Sequence, residues 1–270
     1  MKITFIGGGN MANALVGGLI KQGFPASDIA VVEPLAENRE RLAGAFGIAC
    51  LPAADGSILA SDVLVLAVKP QQMREAVAPL AGQLSRQLVV SIAAGVRLAD
   101  ISRWLGGHAK LVRAMPNTPA LIGAGITGLY ADPSIDGEAR RQAERILGAV
   151  GKTLWIADES LMDAVTAVSA SGPAYVFYFI EALRDAALAL GFSAEQAQLL
   201  ATETAVGAVA LAASATEDVA VLRQRVTSKG GTTEAALNSM NADGFKAIIL
   251  RAVRAADARG RELGDSLGKD

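Results

Sequence analysis

Near its start the chain runs Ile3-Thr4-Phe5-Ile6-Gly7-Gly8-Gly9-Asn10-Met11-Ala12, an apolar strand pattern leading through glycines into a helical pattern. Read as G-x-G-x-x-A, this spacing has a chemical use. Gly7 permits a tight turn, Gly9 lets the backbone approach a pyrophosphate, and Ala12 lets the helix pack close to the strand. The helix start adds free N–H groups and the positive end of its dipole. A glycine-rich turn alone says little, so the flanking strand and helix carry the weight. Ile6, Gly7, Gly8, Gly9, Asn10 and Met11 are candidate dinucleotide contacts.

A dinucleotide pocket of this kind expects an acidic residue about 20 positions further on, facing the adenosine ribose. Ile29-Ala30-Val31-Val32-Glu33-Pro34 supplies a β-branched run ending in Glu33, with Pro34 beside it. A carboxylate there suits the ribose hydroxyls of NAD and repels the 2′-phosphate of NADP. Arg39 and Arg41 follow closely, and either could reach over a 2′-phosphate, so the choice between NADH and NADPH stays open. Two further segments follow strand-like runs, where open α/β sheets bind ligands. One is Ala67, Val68, Lys69 and Pro70, in which Pro70 stops the strand and Lys69 is either a phosphate or ribose contact or an ordinary exposed lysine. The other contains Ala93, Ala94 and Gly95, small enough to leave room for a flat ring.

Elsewhere three segments stand out. Met115-Pro116-Asn117-Thr118-Pro119 holds two polar residues between prolines, as a rigid site wall or a tight turn would. Ser169-Ala170-Ser171-Gly172-Pro173 suggests Ser171 as the N-cap of a helix. Val226-Thr227-Ser228-Lys229-Gly230-Gly231-Thr232-Thr233-Glu234 breaks a helical region with small polar residues before another helix begins. Gly230 and Gly231 can expose successive N–H groups as a nest for a carboxylate, with Thr232 or Thr233 bonding a neighbouring polar atom. The one histidine, His108, follows two glycines and is expected at the surface; Cys50, the one cysteine, reads as an inert buried thiol. No metal site is expected.

The elements that must position these groups follow from the wider pattern. With 270 residues, a soft prior of about 150 residues per domain gives one to two domains. Up to about residue 156, strand runs alternate with helical patterns, which predicts a parallel sheet with helices on both faces. From Glu159 onward the strand signal gives way to alanine-rich helices at 174–190, 194–213 and 244–262. The expected organisation is an α/β Rossmann-type domain over residues 1–158 and an all-α domain over 159–270. A formal charge of −2 without a basic stripe argues against a nucleic-acid partner. Apolar stretches fall short of the ~18 residues of a membrane span, and a strand at the N-terminus leaves no room for a signal peptide. A cytoplasmic location is expected. The segment around Ala205 to Ala213 has little polar face, which predicts helices interlocked between subunits unless they form the centre of a monomeric bundle.

Taken in order, residues 6–12, 67–70, 91–96, 115–119, 171–175 and 226–236 resemble pyrroline-5-carboxylate reductases over nearly the whole chain, the Ser-Lys-Gly-Gly-Thr-Thr loop being the most specific match. That resemblance implies reduction of L-1-pyrroline-5-carboxylate to L-proline with NADPH or NADH, the last step of proline biosynthesis. It implies a substrate site at Ser228, Lys229, Gly230, Gly231, Thr232 and Thr233, with backbone N–H groups on the carboxylate and the Thr233 hydroxyl on the ring nitrogen as the catalytic contact. It further implies a helix-swapped dimer, often assembled into a decamer. Ala170 replaces a glycine and Lys229 a proline found in many relatives, without loss of a group the chemistry requires. Two other readings remain open: a β-hydroxyacid-dehydrogenase-like reductase, which expects a lysine one turn beyond Gly172-Pro173 where Ala174 to Phe177 stand, and a non-catalytic dinucleotide sensor.

Overall fold

The computed structural model describes Met1–Lys269. Its first compact unit comprises Met1–Ser171 and the chain from Ala255 onward, built on one sheet. The strands are β1 (Ile3–Ile6), β2 (Ile29–Val32), β3 (Ala49–Leu51), β4 (Val63–Leu66), β5 (Leu88–Ser91), β6 (Leu111–Met115), β7 (Gly125–Ala131) and β8 (Gly151–Trp155), in the spatial order β3-β2-β1-β4-β5-β6-β7-β8. Helices α1 (Asn10–Lys21), α2 (Ala36–Phe46), α3 (Met73–Val77), α4 (Leu98–Trp104), α5 (Gly137–Leu147) and α6 (Met162–Val165) complete it. Strand side chains alternate between two buried clusters: Ile3, Phe5, Val63 and Val65 with Leu15 and Ile146 on one side, Ile6, Leu64 and Leu66 with Met73 and Ile101 on the other. A sheet buried on both faces explains why these strands read as continuous apolar runs.

From β1 to β6 every pairing is parallel, but β7 runs antiparallel to β6, with Val112 opposite Ala131 and Met115 opposite Gly128. The expected parallel sheet is present, with this pairing its antiparallel exception among the described strands. Residues 116–124 are too few for a crossover helix, so the chain can only turn back. The turn is tied by Asn117, whose Oδ1 accepts from the Ile126 N–H at 2.9 Å and whose Nδ2 donates to the Ser169 carbonyl at 3.2 Å. Asn117 thus has a structural function. On β6, Arg113 is buried and donates to Asp163 at 3.0 Å and Glu159 at 3.3 Å, fastening the sheet to α6.

His108 lies inside, contrary to the expected surface position: it is 8% exposed, and its Nε2–H donates to the Gln87 carbonyl at 2.9 Å. Burial holds its pKa below the usual imidazole value. The neutral ring is the form the fold accepts. Because the folded pKa lies below the unfolded value near 6.5, the stabilisation is present above about pH 6.5 and is lost as pH falls through the folded pKa. Thermal midpoints measured from pH 7 to pH 5 should therefore drop for the natural chain and drop less for His108→Gln.

The second unit, Gly172–Arg254, contains α7 (Gly172–Ala189), α8 (Ala194–Ser214), α9 (Val219–Arg225), α10 (Thr232–Ala242) and the start of α11 (Phe245–Leu267), whose last turns belong to the first unit. Residues 159–171, expected with the helices, cluster with the sheet. Ser193 and Gln196 form a reciprocal capping box at the start of α8. Ser171 does not cap α7. Its backbone is right-handed helical and its N–H closes a π turn on the Thr166 carbonyl at 2.9 Å.

Phe177, Tyr178, Val206, Val209 and Leu211 lie more than half exposed in the single chain. Helix α8, at 21 residues, is also long and apolar enough to cross a membrane by length and composition, whereas no run of that length was expected from the sequence. Isolated polar residues such as Glu203 interrupt the apolar runs without offsetting the alanine and valine around them.

Candidate functional site

The candidate crevice lies at the carboxyl ends of β1 and β4, where strand order changes direction. Gly7 turns the chain there with φ +103°, and a Cβ on it would stand 2.7 Å from the Ala67 carbonyl oxygen. Only glycine fits. Gly9 differs: it is the N-cap of α1 in ordinary extended backbone, and an added Cβ would meet no atom within 4 Å. The first intrahelical bond runs from Asn13 N–H to the Gly9 carbonyl, so helix geometry leaves the N–H groups of Asn10, Met11 and Ala12 without intrahelical acceptors. Open space beside an exposed Gly9 and unpaired N–H groups suits a pyrophosphate. Ala12 is fully buried, as close packing of helix on strand requires.

Glu33, at the end of β2, is 7% exposed, and each of its carboxylate oxygens accepts a backbone N–H. Oε2 takes Gly8 N–H at 2.8 Å and Oε1 takes Leu35 N–H at 3.0 Å. A carboxylate expected at a ribose thus has a second task, to pin the glycine turn to β2. Arg39 donates to the carbonyls of Glu33 at 2.8 Å and Pro34 at 2.7 Å, while Arg41 donates to Asn13 Oδ1 at 2.6 Å and the Gly8 carbonyl at 3.3 Å. Two guanidinium groups therefore border the crevice. Pro34 is exposed beside them.

The remaining candidates of this unit sit on the same sheet edge. Ala67 N–H donates to the Ile6 carbonyl at 2.8 Å, which sets residues 67–70 beside the glycine turn. Ala67, Val68 and Pro70 are half-buried, and Lys69 is exposed. Ile92 N–H donates to the Leu66 carbonyl at 3.1 Å and so sets Ala93, Ala94 and Gly95 next along the edge. Ala93 and Gly95 are buried and Ala94 is half-buried.

Ser228, Lys229, Gly230, Gly231, Thr232 and Thr233 lie together in the helical unit, the first four between α9 and α10 and the two threonines opening α10. Their hydrogen bonds alter the expected nest. Gly230 N–H donates to the Glu234 carboxylate at 2.7 Å, and Gly231 N–H to the Ser228 carbonyl at 3.0 Å. Both glycine donors are engaged. Since Gly231 is the N-cap of α10 and its carbonyl accepts from Ala235, the N–H groups of Thr232, Thr233 and Glu234 are those the helix leaves without intrahelical acceptors. An anion-binding position therefore falls at the first turn of α10, one to two residues beyond the glycines. Thr233 is half-buried at this helix start. Sequence reasoning missed Glu234, although a Glu at the third helical position is a known signal of a side chain reaching back toward the preceding turn.

Residues 159–263 match the family model described as pyrroline-5-carboxylate reductase dimerisation, and residues 2–95 match NADP oxidoreductase coenzyme F420-dependent. The first match covers the helices whose apolar side chains lie exposed in one chain, and it marks them as a self-association segment. A pyrroline-5-carboxylate reductase of Pseudomonas aeruginosa is 47% identical over 269 residues, covering 99% of this chain and 98% of that relative. The solved pyrroline-5-carboxylate reductase of Coxiella burnetii has a TM-score of 0.92 at 40% identity, covering 97% of this chain and 98% of that one. A Plasmodium falciparum pyrroline carboxylate reductase solved with NADP bound has a TM-score of 0.86 at 28% identity, covering 98% of each chain. Similarity of this extent, continuous across both the glycine turn and the loop before α10, places the chain in the pyrroline-5-carboxylate reductase family.

Proposed function

We propose that this chain reduces L-1-pyrroline-5-carboxylate to L-proline with NADPH or NADH, the closing step of proline biosynthesis. The observation that carries this reading is the presence, in one member of the family, of an open phosphate cradle at Gly9 and an anion-accepting helix start at Thr232. Ile6, Gly7, Gly8, Gly9, Asn10 and Met11 receive the pyrophosphate. Glu33 and Pro34 border the ribose, and residues 67–70 and 93–95 line the path toward the nicotinamide. When bound, the reduced nicotinamide supplies the hydride that the imine carbon accepts.

Imine reduction needs no strong base at the site, because the protonated C=N already attracts hydride; orientation is the main contribution of the protein. Thr232 and Thr233 N–H groups hold the substrate carboxylate, while Ser228, Lys229, Gly230 and Gly231 shape the loop around it. The Thr233 oxygen accepts from the N–H of the protonated imine, and its hydroxyl can then donate to the lone pair of the product amine. His108 takes no part. In this reading residues 1–158 carry cofactor binding and 159–270 dimerisation and substrate binding, although 159–171 and the last turns of α11 pack with the sheet, in a cytoplasmic enzyme whose dimer exchanges helices and can assemble to a decamer.

Oxidation of NADPH and of NADH, followed by absorbance, tests the reaction. Turnover is expected with pyrroline-5-carboxylate and not with β-hydroxyacids in the reverse direction. Turnover with the hydroxyacids alone would transfer the chain to a β-hydroxyacid-dehydrogenase type; dinucleotide binding without turnover of either would make it a sensor.

A further inference from the structure

Gly260 and Gly264 in the last turns of α11 and Gly268 just past its end recur every fourth residue, and Gly268 N–H still donates to the Gly264 carbonyl at 3.1 Å, so they follow one another along one side. Within the first unit this side meets the loop between β5 and α4. A Cβ on Gly264 would stand 2.9 Å from the Gly95 carbonyl oxygen, and one on Gly95 would stand 3.4 Å from the Gly264 nitrogen and 3.5 Å from Leu267 Cδ1. The two backbones are in direct contact. Gly264 is accordingly buried, although most of α11 is not.

Polar contacts fasten the helix end just beyond this point. Arg97, two residues beyond Gly95, pairs with Asp265, and Arg103 of α4 donates to the Gly268 carbonyl at 2.8 Å. Leu267 packs against the buried cluster that includes Ala93 and Val96. The loop that follows β5 is therefore held at one end by the sheet and along its length by a helix nearly 170 residues away in sequence, as the separation of Arg97 and Asp265 records.

We propose that the last turns of α11 position the loop at residues 93–95 for the dinucleotide, making Gly264 and Asp265 positioning residues for cofactor binding. This rests on the reading of Ala93, Ala94 and Gly95 as cofactor contacts. The physical reason is the absence of slack: close-packed backbones transmit a displacement instead of absorbing it. Any side chain on Gly264 has to move either the Gly95 carbonyl or the helix. A purely structural α11 would instead affect stability and leave the affinity of the folded enzyme alone.

The test uses full-length chains: Gly264→Ala, Asp265→Asn, Gly260→Ala and Gly9→Val, each assayed for NADPH affinity by fluorescence titration, for kcat and both KM values, and for its thermal midpoint. Gly264→Ala should weaken NADPH binding about five- to tenfold, as expected for one methyl group forced into a packed contact, with the KM for pyrroline-5-carboxylate within about twofold of the parent. Asp265→Asn should weaken it about two- to threefold, in keeping with a part-exposed ion pair, and it decides the matter if Gly264→Ala does not fold. Gly260→Ala is the control on the same helix face, since its Cβ would lie 3.4 Å from Asp163 and touch no part of the loop. Unchanged NADPH affinity in a folded Gly264→Ala, or in Asp265→Asn where Gly264→Ala does not fold, would overturn the proposal, as would an equal loss in Gly260→Ala. Gly9→Val separates the two levels: if it too binds NADPH normally, the pocket itself is misplaced and the proposal falls with it.

Discussion

Thr233→Ala lowers kcat with pyrroline-5-carboxylate by about 10² to 10³, the usual loss for one well-placed polar group at a reacting centre, while NADPH affinity stays near that of the parent. The separation follows from where the residue stands. The hydrogen bonds that shape the glycine turn run to Glu33 and Val32, and none of them uses the Thr233 side chain, so truncating it removes no support from the phosphate cradle. Its backbone N–H survives the substitution, so the carboxylate keeps that donor and the KM for the imine should rise only modestly. Thr233→Ser restores the hydroxyl and should restore most of kcat. Steady-state kinetics on the three proteins, with NADPH titrations alongside, provides the comparison. Full activity in Thr233→Ala would reduce the loop before α10 to a connector.

The glycine turn was legible in the sequence because its requirements are local. Gly7 must be glycine for its own φ and for the nearby Ala67 carbonyl, and the strand and helix that bring these together are each contiguous runs. β7 was not legible. Gly125 and Gly128 interrupt its apolar pattern, and Gly128 is small because Val165 of α6 packs over it, a tertiary fact no local pattern reports. His108 misled for a related reason: Gly106 lies against the backbone of Gly82, and with this contact the glycine pair leads the imidazole inward instead of exposing it.

The candidate site divides along the same line. The residues of the loop before α10 were evident from composition, yet the assignment of their N–H groups depended on the Glu234 carboxylate returning to Gly230. That bond consumes a donor which residue types alone would leave for substrate. Glu33 carries the same lesson at the other end of the chain, since its buried carboxylate first satisfies Gly8 and Leu35. Discrimination between NADH and NADPH therefore cannot be read from the sign of one strand-end charge. Arg39 and Arg41 stand at the same border, and their guanidinium groups are engaged by carbonyl and amide oxygens instead of carboxylates.

Gly9→Val should abolish most dinucleotide binding and leave the fold standing. The residue has φ −69° and ψ −174°, ordinary extended backbone that valine adopts without strain, and its position is exposed. No side-chain cap is lost, because glycine supplied none; replacing a glycine N-cap with a β-branched residue costs on the order of 1 kcal/mol or less in helix stability. The space that valine fills is the space beside the unpaired N–H groups of α1. A pyrophosphate kept from two of those donors loses at least about 3 kcal/mol, the low end for two bonds at roughly 1.5–3 kcal/mol for each hydrogen bond to a charged group, or a hundredfold or more in Kd. NADPH and NADH should suffer alike, since the pyrophosphate is common to both. Gly7→Val would be a poor substitute: its Cβ would lie 2.7 Å from the Ala67 carbonyl oxygen at a positive φ, so lost binding there could simply report a disrupted turn. Titration of folded Gly9→Val with both dinucleotides, accompanied by circular dichroism and a thermal midpoint, isolates the cradle. Parent-like affinity for either dinucleotide would remove the pyrophosphate from the start of α1.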